Sequence, residues 1–133
     1  MSAVSSMIDS HPQGGGVDKQ LLAECIEACF SCAQTCTACA DACLSEDSVA
    51  DLRDCIRTDL DCADICAATG TVLTRLTGSN TATVRALLEA CRTACAACAA
   101  DCEEHADHHE HCRICAEACR RCEKACAALL ESL

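Results

Sequence analysis

The chain has 133 residues, of which 18 are Cys, one is Phe and none is Tyr or Trp, and its formal net charge is −11. That acidity excludes nucleic acid and an anionic membrane as partners, since both need a basic patch, and no apolar run approaches the ~18–20 residues of a membrane span. One domain is expected, with a core made largely of Ala and Cys, a thin core of the kind that metal, disulfides or oligomerisation usually supports.

Residues 1–17 read as a disordered N-terminal tail, where Ser, Gly14, Gly15, Gly16 and the only proline, Pro12, cluster. From Asp18 the chain reads as four helices. The first runs from about Asp18 to Leu44, and its inward seam is Leu22 followed by Cys25, Cys29, Cys32, Cys36, Cys39 and Cys43. These steps of four and three belong to one helical face, where Leu, Ile or Val normally sit. Ser45 to Asp47 make a turn. The second helix begins at Ser48, with Asp51 in a capping-box-like position, and its seam is Leu52, Cys55, Asp59, Cys62, Cys66, Thr69, Leu73 and Leu76. Gly78, Ser79 and Asn80 separate it from the third helix, whose seam is Val84, Leu88, Cys91, Cys95, Cys98, Cys102, His105 and His109. The stretch Glu103 to His111 holds the next turn, with Asp107 and Glu110 as a capping pair. The fourth helix carries Cys112, Cys115, Cys119, Cys122 and Cys126, then Leu129 and Leu133.

Short connections force antiparallel neighbours, so the expected fold is all-α: an antiparallel up-down-up-down four-helix bundle with a Cys-lined core over 18–133. One end would collect Cys43, Cys55, Cys102, Cys112 and the His cluster. The other would collect Leu22, Leu73, Leu76, Val84, Leu88 and Leu129 and be closed by aliphatics. Between them lies a tube of thiols.

Zinc and iron–sulfur sites usually take Cys from loop knuckles, so a continuous helical ladder suits neither well. Hard ions need oxygens, and Asp59 is the one seam carboxylate. Cu(I) is soft and favours thiolate. Residues four apart have Cβ atoms ~5–6 Å apart on one face. That makes candidate ligand pairs of Cys25/Cys29, Cys32/Cys36, Cys39/Cys43, Cys62/Cys66, Cys91/Cys95, Cys98/Cys102, Cys115/Cys119 and Cys122/Cys126, while Cys55 and Cys112 would pair across helices. Buried thiolates cannot stay unpaired, so full deprotonation calls for about one Cu(I) per thiolate, on the order of 18 ions. Without metal the thiols would be protonated and act as small apolar side chains, leaving an apo bundle able to fold.

His105, His108, His109 and His111 stand beside the mouth, where neutral imidazole is a good copper ligand. The seam turns His105 and His109 inward, and metal entry is expected there. A solvated polar turn is the plainer reading of this cluster, a register-fixing polar layer that of Asp59, and small-residue filler that of a Cys ladder. Eighteen in-phase cysteines favour the metal. His11, Met1 and Met7 fall in the tail and carry no expected role. No catalytic constellation stands out, so an enzyme is not expected.

These motifs give the chain its resemblance. From Cys25 to Cys43, at Cys62/Cys66, from Cys91 to Cys102 and from Cys115 to Cys126, the Cys-x-x-x-Cys ladders resemble the bacterial copper storage proteins, in particular their cytosolic branch. The resemblance implies a four-helix bundle filled with Cu(I), a homotetramer, ligand roles for the 18 cysteines with His105 and His109, and copper storage in the cytoplasm. A copper chaperone, not identified by the sequence, would be a further partner. Met1 to Gly16 include no basic n-region, apolar h-region or twin Arg, which agrees with a cytosolic location, where thiols stay reduced. Other readings of the thiols are an iron–sulfur or thiol redox protein, and a general zinc/cadmium thiolate buffer.

Overall fold

The computed structural model describes residues 2–14 and 16–133. Among the described residues five α-helices follow one another: α1 (Ala3–Ser10), α2 (Lys19–Leu44), α3 (Arg53–Leu73), α4 (Thr81–His105) and α5 (Glu110–Ser132), with a short 3-10 helix, Val49–Leu52, ahead of α3. The last four form the bundle. α2 borders α3 and α5, and α4 borders α5 and α3, the square arrangement of an up-down-up-down bundle. Among the described residues, no helix is long and apolar enough to cross a membrane.

Small residues set the closeness of the packing. Ala23, Ala28, Ala40, Ala63, Ala99, Ala116 and Ala118 are buried with the cysteines. Ile26, Leu52, Leu88 and Leu129 are the largest fully buried side chains. At the end opposite the His cluster, Leu22, Leu73, Leu88 and Leu129 are buried and Leu76 and Val84 half-buried, so the aliphatic plug is in place. Gly70 of α3 lies under the Phe30 ring of α2. A Cβ there would sit 3.0 Å from the ring carbon Cζ, so the absent side chain makes room for the chain's one aromatic.

The N-terminal segment differs from the expected disordered tail, for residues 3–10 are helical. The Ser2 hydroxyl caps α1 by accepting from Ser5 N–H, and the same hydroxyl donates to Glu27 of α2. Ile8 is 5% exposed, and Val4 packs against the same core. Two apolar residues four apart are enough to dock this helix of about two turns on α2, but too few to make a readable period. Met1 and Gly15 lie outside the described residues.

Helix starts differ as well. Asp18 caps α2 as an N-cap should, its carboxylate accepting from Leu21 N–H at 3.0 Å. The Ser48 side chain makes no capping bond; its carbonyl accepts from Asp51 N–H, which starts the 3-10 turn and delays α3 to Arg53. The Asp107/Glu110 pair does not cap α5 either: His109 is the N-cap residue, with no side-chain capping bond.

Thiols that pack as small apolar groups need no metal to hold this bundle. The reduced apo protein is expected to show a strongly helical circular dichroism spectrum. Replacing the fully buried Leu88 by Ala should lower its unfolding free energy by ~3 kcal/mol in a denaturant titration. Ile114→Ala, at a half-exposed position, should change it by less than about 0.5 kcal/mol.

Candidate metal centre

All 18 cysteines are buried and free, and none is more than 1% exposed. Each helix of the bundle contributes a row of them to a single axial column. Along a helix, Cys32 and Cys36, Cys62 and Cys66, and Cys115 and Cys119 bring their sulfurs to 3.7, 3.7 and 4.0 Å. Contacts between helices are just as close. Cys36 Sγ lies 3.6 Å from Cys119 and 3.7 Å from Cys115, and Cys66 Sγ lies 3.7 Å from Cys91 and 3.6 Å from Cys95. Cys55 meets Cys102 at 3.5 Å, and Cys112 meets Cys39 at 3.9 Å, each across helices.

The unit of the column is therefore a group of sulfurs drawn from several helices. Cys29, Cys91, Cys122 and Cys126 form one such group, within 4.8 Å of one another. Cys32, Cys66, Cys95 and Cys122 form the next, then Cys32, Cys36, Cys62 and Cys119, then Cys36, Cys98, Cys115 and Cys119. Successive groups share Cys122, Cys32, then Cys36 with Cys119. A soft ion can thus find a new set of thiolates without leaving the column, and Cys25 extends the series past Cys126 at 3.8 Å.

Asp59 is fully buried among these sulfurs. Its Oδ1 accepts from the thiols of Cys98 at 3.0 Å, Cys115 at 3.2 Å and Cys102 at 3.5 Å. Its Oδ2 is buried with no hydrogen-bond partner among the described residues. Burial, the largest cause, pushes the carboxyl up to about 12. The other polar seam residue, Thr69, is self-satisfied: its hydroxyl donates to the Ile65 carbonyl at 2.7 Å.

At the mouth the imidazoles are not equivalent. His111 Nδ1 lies 3.4 Å from Cys39 Sγ and 3.6 Å from Cys112 Sγ, and it joins Cys39, Cys43 and Cys112 in a further group. Its Nε2 donates to Glu46 at 2.9 Å. His109, half-buried, turns its Nδ1 to the same Glu46 oxygen at 2.6 Å. His105 is half-buried at the end of α4, where its carbonyl accepts from the backbone of His108 and His109. His108 is exposed. His11 lies away in the α1–α2 connection, its Nδ1 accepting from Gln13 N–H. Burial alone would lower the His111 pKa, but its contacts with Cys39 and Glu46 outweigh this and raise it. Burial, with Cys39 alongside, pushes Cys43 and Cys112 up.

His111 is thus an imidazole in contact with the thiols of Cys39 and Cys112, beside the pair His105 and His109 to which the seam points. A step of four back from Cys115 lands on His111, whereas a step of four back from Cys112 lands on His108, before α5 begins. Glu46 was silent in the sequence, since its partners lie 63 and 65 residues away and a turn carries no helical phase.

A buried column of thiols with imidazoles at one end is a container for a soft metal. The copper storage protein family model matches residues 18–131, and the chain belongs to that family. Copper storage in the thiol core is its function. Among solved structures, the copper storage protein Ccsp of Streptomyces lividans loaded with 10 copper equivalents is 58% identical, with a TM-score of 0.96, covering 98% of this chain and 100% of that one. A cytosolic copper storage protein from Streptomyces lividans holding five coppers is 62% identical at a TM-score of 0.85, over 86% of this chain and 95% of the other. The Cu(I)-bound copper storage protein BsCsp3 is 37% identical at a TM-score of 0.71, over 80% and 94%.

Asp59 yields a pH-dependent expectation for the apo protein. Folded, the carboxyl stays protonated to about pH 12; unfolded, it ionises above its ordinary value of 3.8. Between these values the unfolded state binds fewer protons, so this group removes stability as pH rises. Asp59→Asn keeps the shape and cannot ionise. It should raise the thermal midpoint at neutral pH by on the order of 5 °C and leave it nearly unchanged at pH 3. Equal midpoints at neutral pH would contradict this account of the buried carboxyl.

Proposed function

We propose that the chain sequesters Cu(I) in the cytoplasm as thiolate clusters distributed along the whole column, with all 18 cysteines as ligands and copper entering at the imidazole end. The observation that carries this reading is the continuity of the buried sulfurs, group sharing sulfur with group from Cys126 to Cys36. Each incoming ion can displace thiol protons, so the core takes up metal without gaining net charge. His111 is the imidazole best disposed to receive copper first, since its Nδ1 already faces Cys39 and Cys112. His105 and His109 line the approach behind it.

The copper-binding unit is 18–133, which agrees with the extent of the family match. That the similar Streptomyces lividans protein is a cytosolic copper storage protein supports the location. A homotetramer, and delivery by a copper chaperone, complete the reading. The role is retention and release of ions, with no reaction catalysed.

The test is a Cu(I) titration of the reduced apo protein without oxygen, with a coloured Cu(I) chelator in competition. The chelator should stay uncoloured until roughly one copper per Cys has been added, on the order of 18 per chain. Saturation after one to four ions would overturn the filled-column reading and make most thiols packing groups.

A further inference from the structure

We propose that Glu46 is the positioning residue of the copper mouth, holding His109 and His111 in opposite tautomers so that each imidazole keeps one ring nitrogen free for metal. This rests on the proposed entry of copper at that end.

Glu46 is itself held. It lies in the turn after α2, its N–H donating to the Cys43 carbonyl at 3.2 Å and its carbonyl accepting from Val49 N–H at 3.2 Å. Its side chain crosses the mouth to the start of α5. There a single oxygen, Oε2, meets His109 Nδ1 at 2.6 Å and His111 Nε2 at 2.9 Å. The two rings stack, with centroids 5.4 Å apart and planes 22° apart, so neither can turn without disturbing the other.

A carboxylate only accepts hydrogen bonds, and a neutral imidazole has one N–H. His111 must therefore carry its proton on Nε2, which leaves the Nδ1 lone pair facing Cys39 and Cys112. His109 must carry its proton on Nδ1, which leaves Nε2 free. Free imidazole side chains in water favour the Nε2–H form, so His109 is held in the less common tautomer. A carboxylate fixing the ring and proton of a metal-binding histidine is a recurrent arrangement, and its loss typically costs 10–100-fold in affinity or activity. Here the same carboxylate serves two rings, and it ties the α2–α3 turn to the α4–α5 turn.

The experiment has two readouts. The first is a long-range ¹H–¹⁵N correlation spectrum of the reduced apo protein at a pH where the imidazoles are neutral. Native protein should show Nδ1–H for His109 and Nε2–H for His111. Glu46→Ala should return His109 to Nε2–H, whereas Glu46→Gln, which keeps an accepting oxygen, should hold the native pattern. The second readout is the stopped-flow rate of Cu(I) uptake from a Cu(I)-loaded chelator. Glu46→Ala should slow it by roughly tenfold with final capacity unchanged, and Glu46→Gln should restore most of the rate. Native His109 in the Nε2–H form, or Glu46→Ala leaving tautomers and rate as they were, would overturn the proposal. Should native protein take up no copper, the storage reading falls, and the tautomers still decide whether Glu46 positions the rings.

Discussion

Electroneutrality in a dry core is the constraint on which this molecule depends. A thiolate in the bundle interior costs too much to stand alone, yet a thiol is a weakly polar group that packs beside Ala without penalty. The same side chains therefore serve as core filler without metal and as ligands with it. Copper that arrives as thiol protons leave keeps the interior neutral throughout. An acidic exterior with a net charge of −11 coexists with this core because the carboxylates, Asp59 apart, stay outside it.

The arrangement of sulfurs turns that constraint into capacity. Had the thiols met only along each helix, the bundle would hold separate pairs. Groups such as Cys36, Cys98, Cys115 and Cys119 instead draw on three helices and share members with their neighbours. Sharing lets one thiolate serve more than one ion, so filling can proceed by growth of clusters. It also makes the column directional: aliphatics seal one end, and at the other His111 connects the last sulfurs to a carboxylate at the surface. Asp59 interrupts the sulfurs part-way, its Oδ1 bonded by three thiols.

The bundle was legible because Cys at steps of three and four marks one face of each helix, and the short connections between Leu44 and Leu52 and after Leu73 leave few topologies. The polarity of the column followed from the same seams. What periodicity cannot carry is the register between helices, so the pairing of Cys55 with Cys102 and of Cys112 with Cys39 became visible only in three dimensions. Phase also fails beyond a helix end: α4 stops at His105, so its seam does not carry on to His109, while His111, in the first turn of α5, meets the thiols. Helix α1 has no periodic seam to mark it in the sequence; it docks through Val4 and Ile8.

The most direct test of proton-for-copper exchange is native mass spectrometry of the protein during anaerobic loading, because the mass of each species reports both the copper bound and the protons lost. At full load the mass should have risen by that of the copper ions less about one proton for each. Copper added without loss of protons would mean that the core accepts net charge, and the neutral-column account would fail.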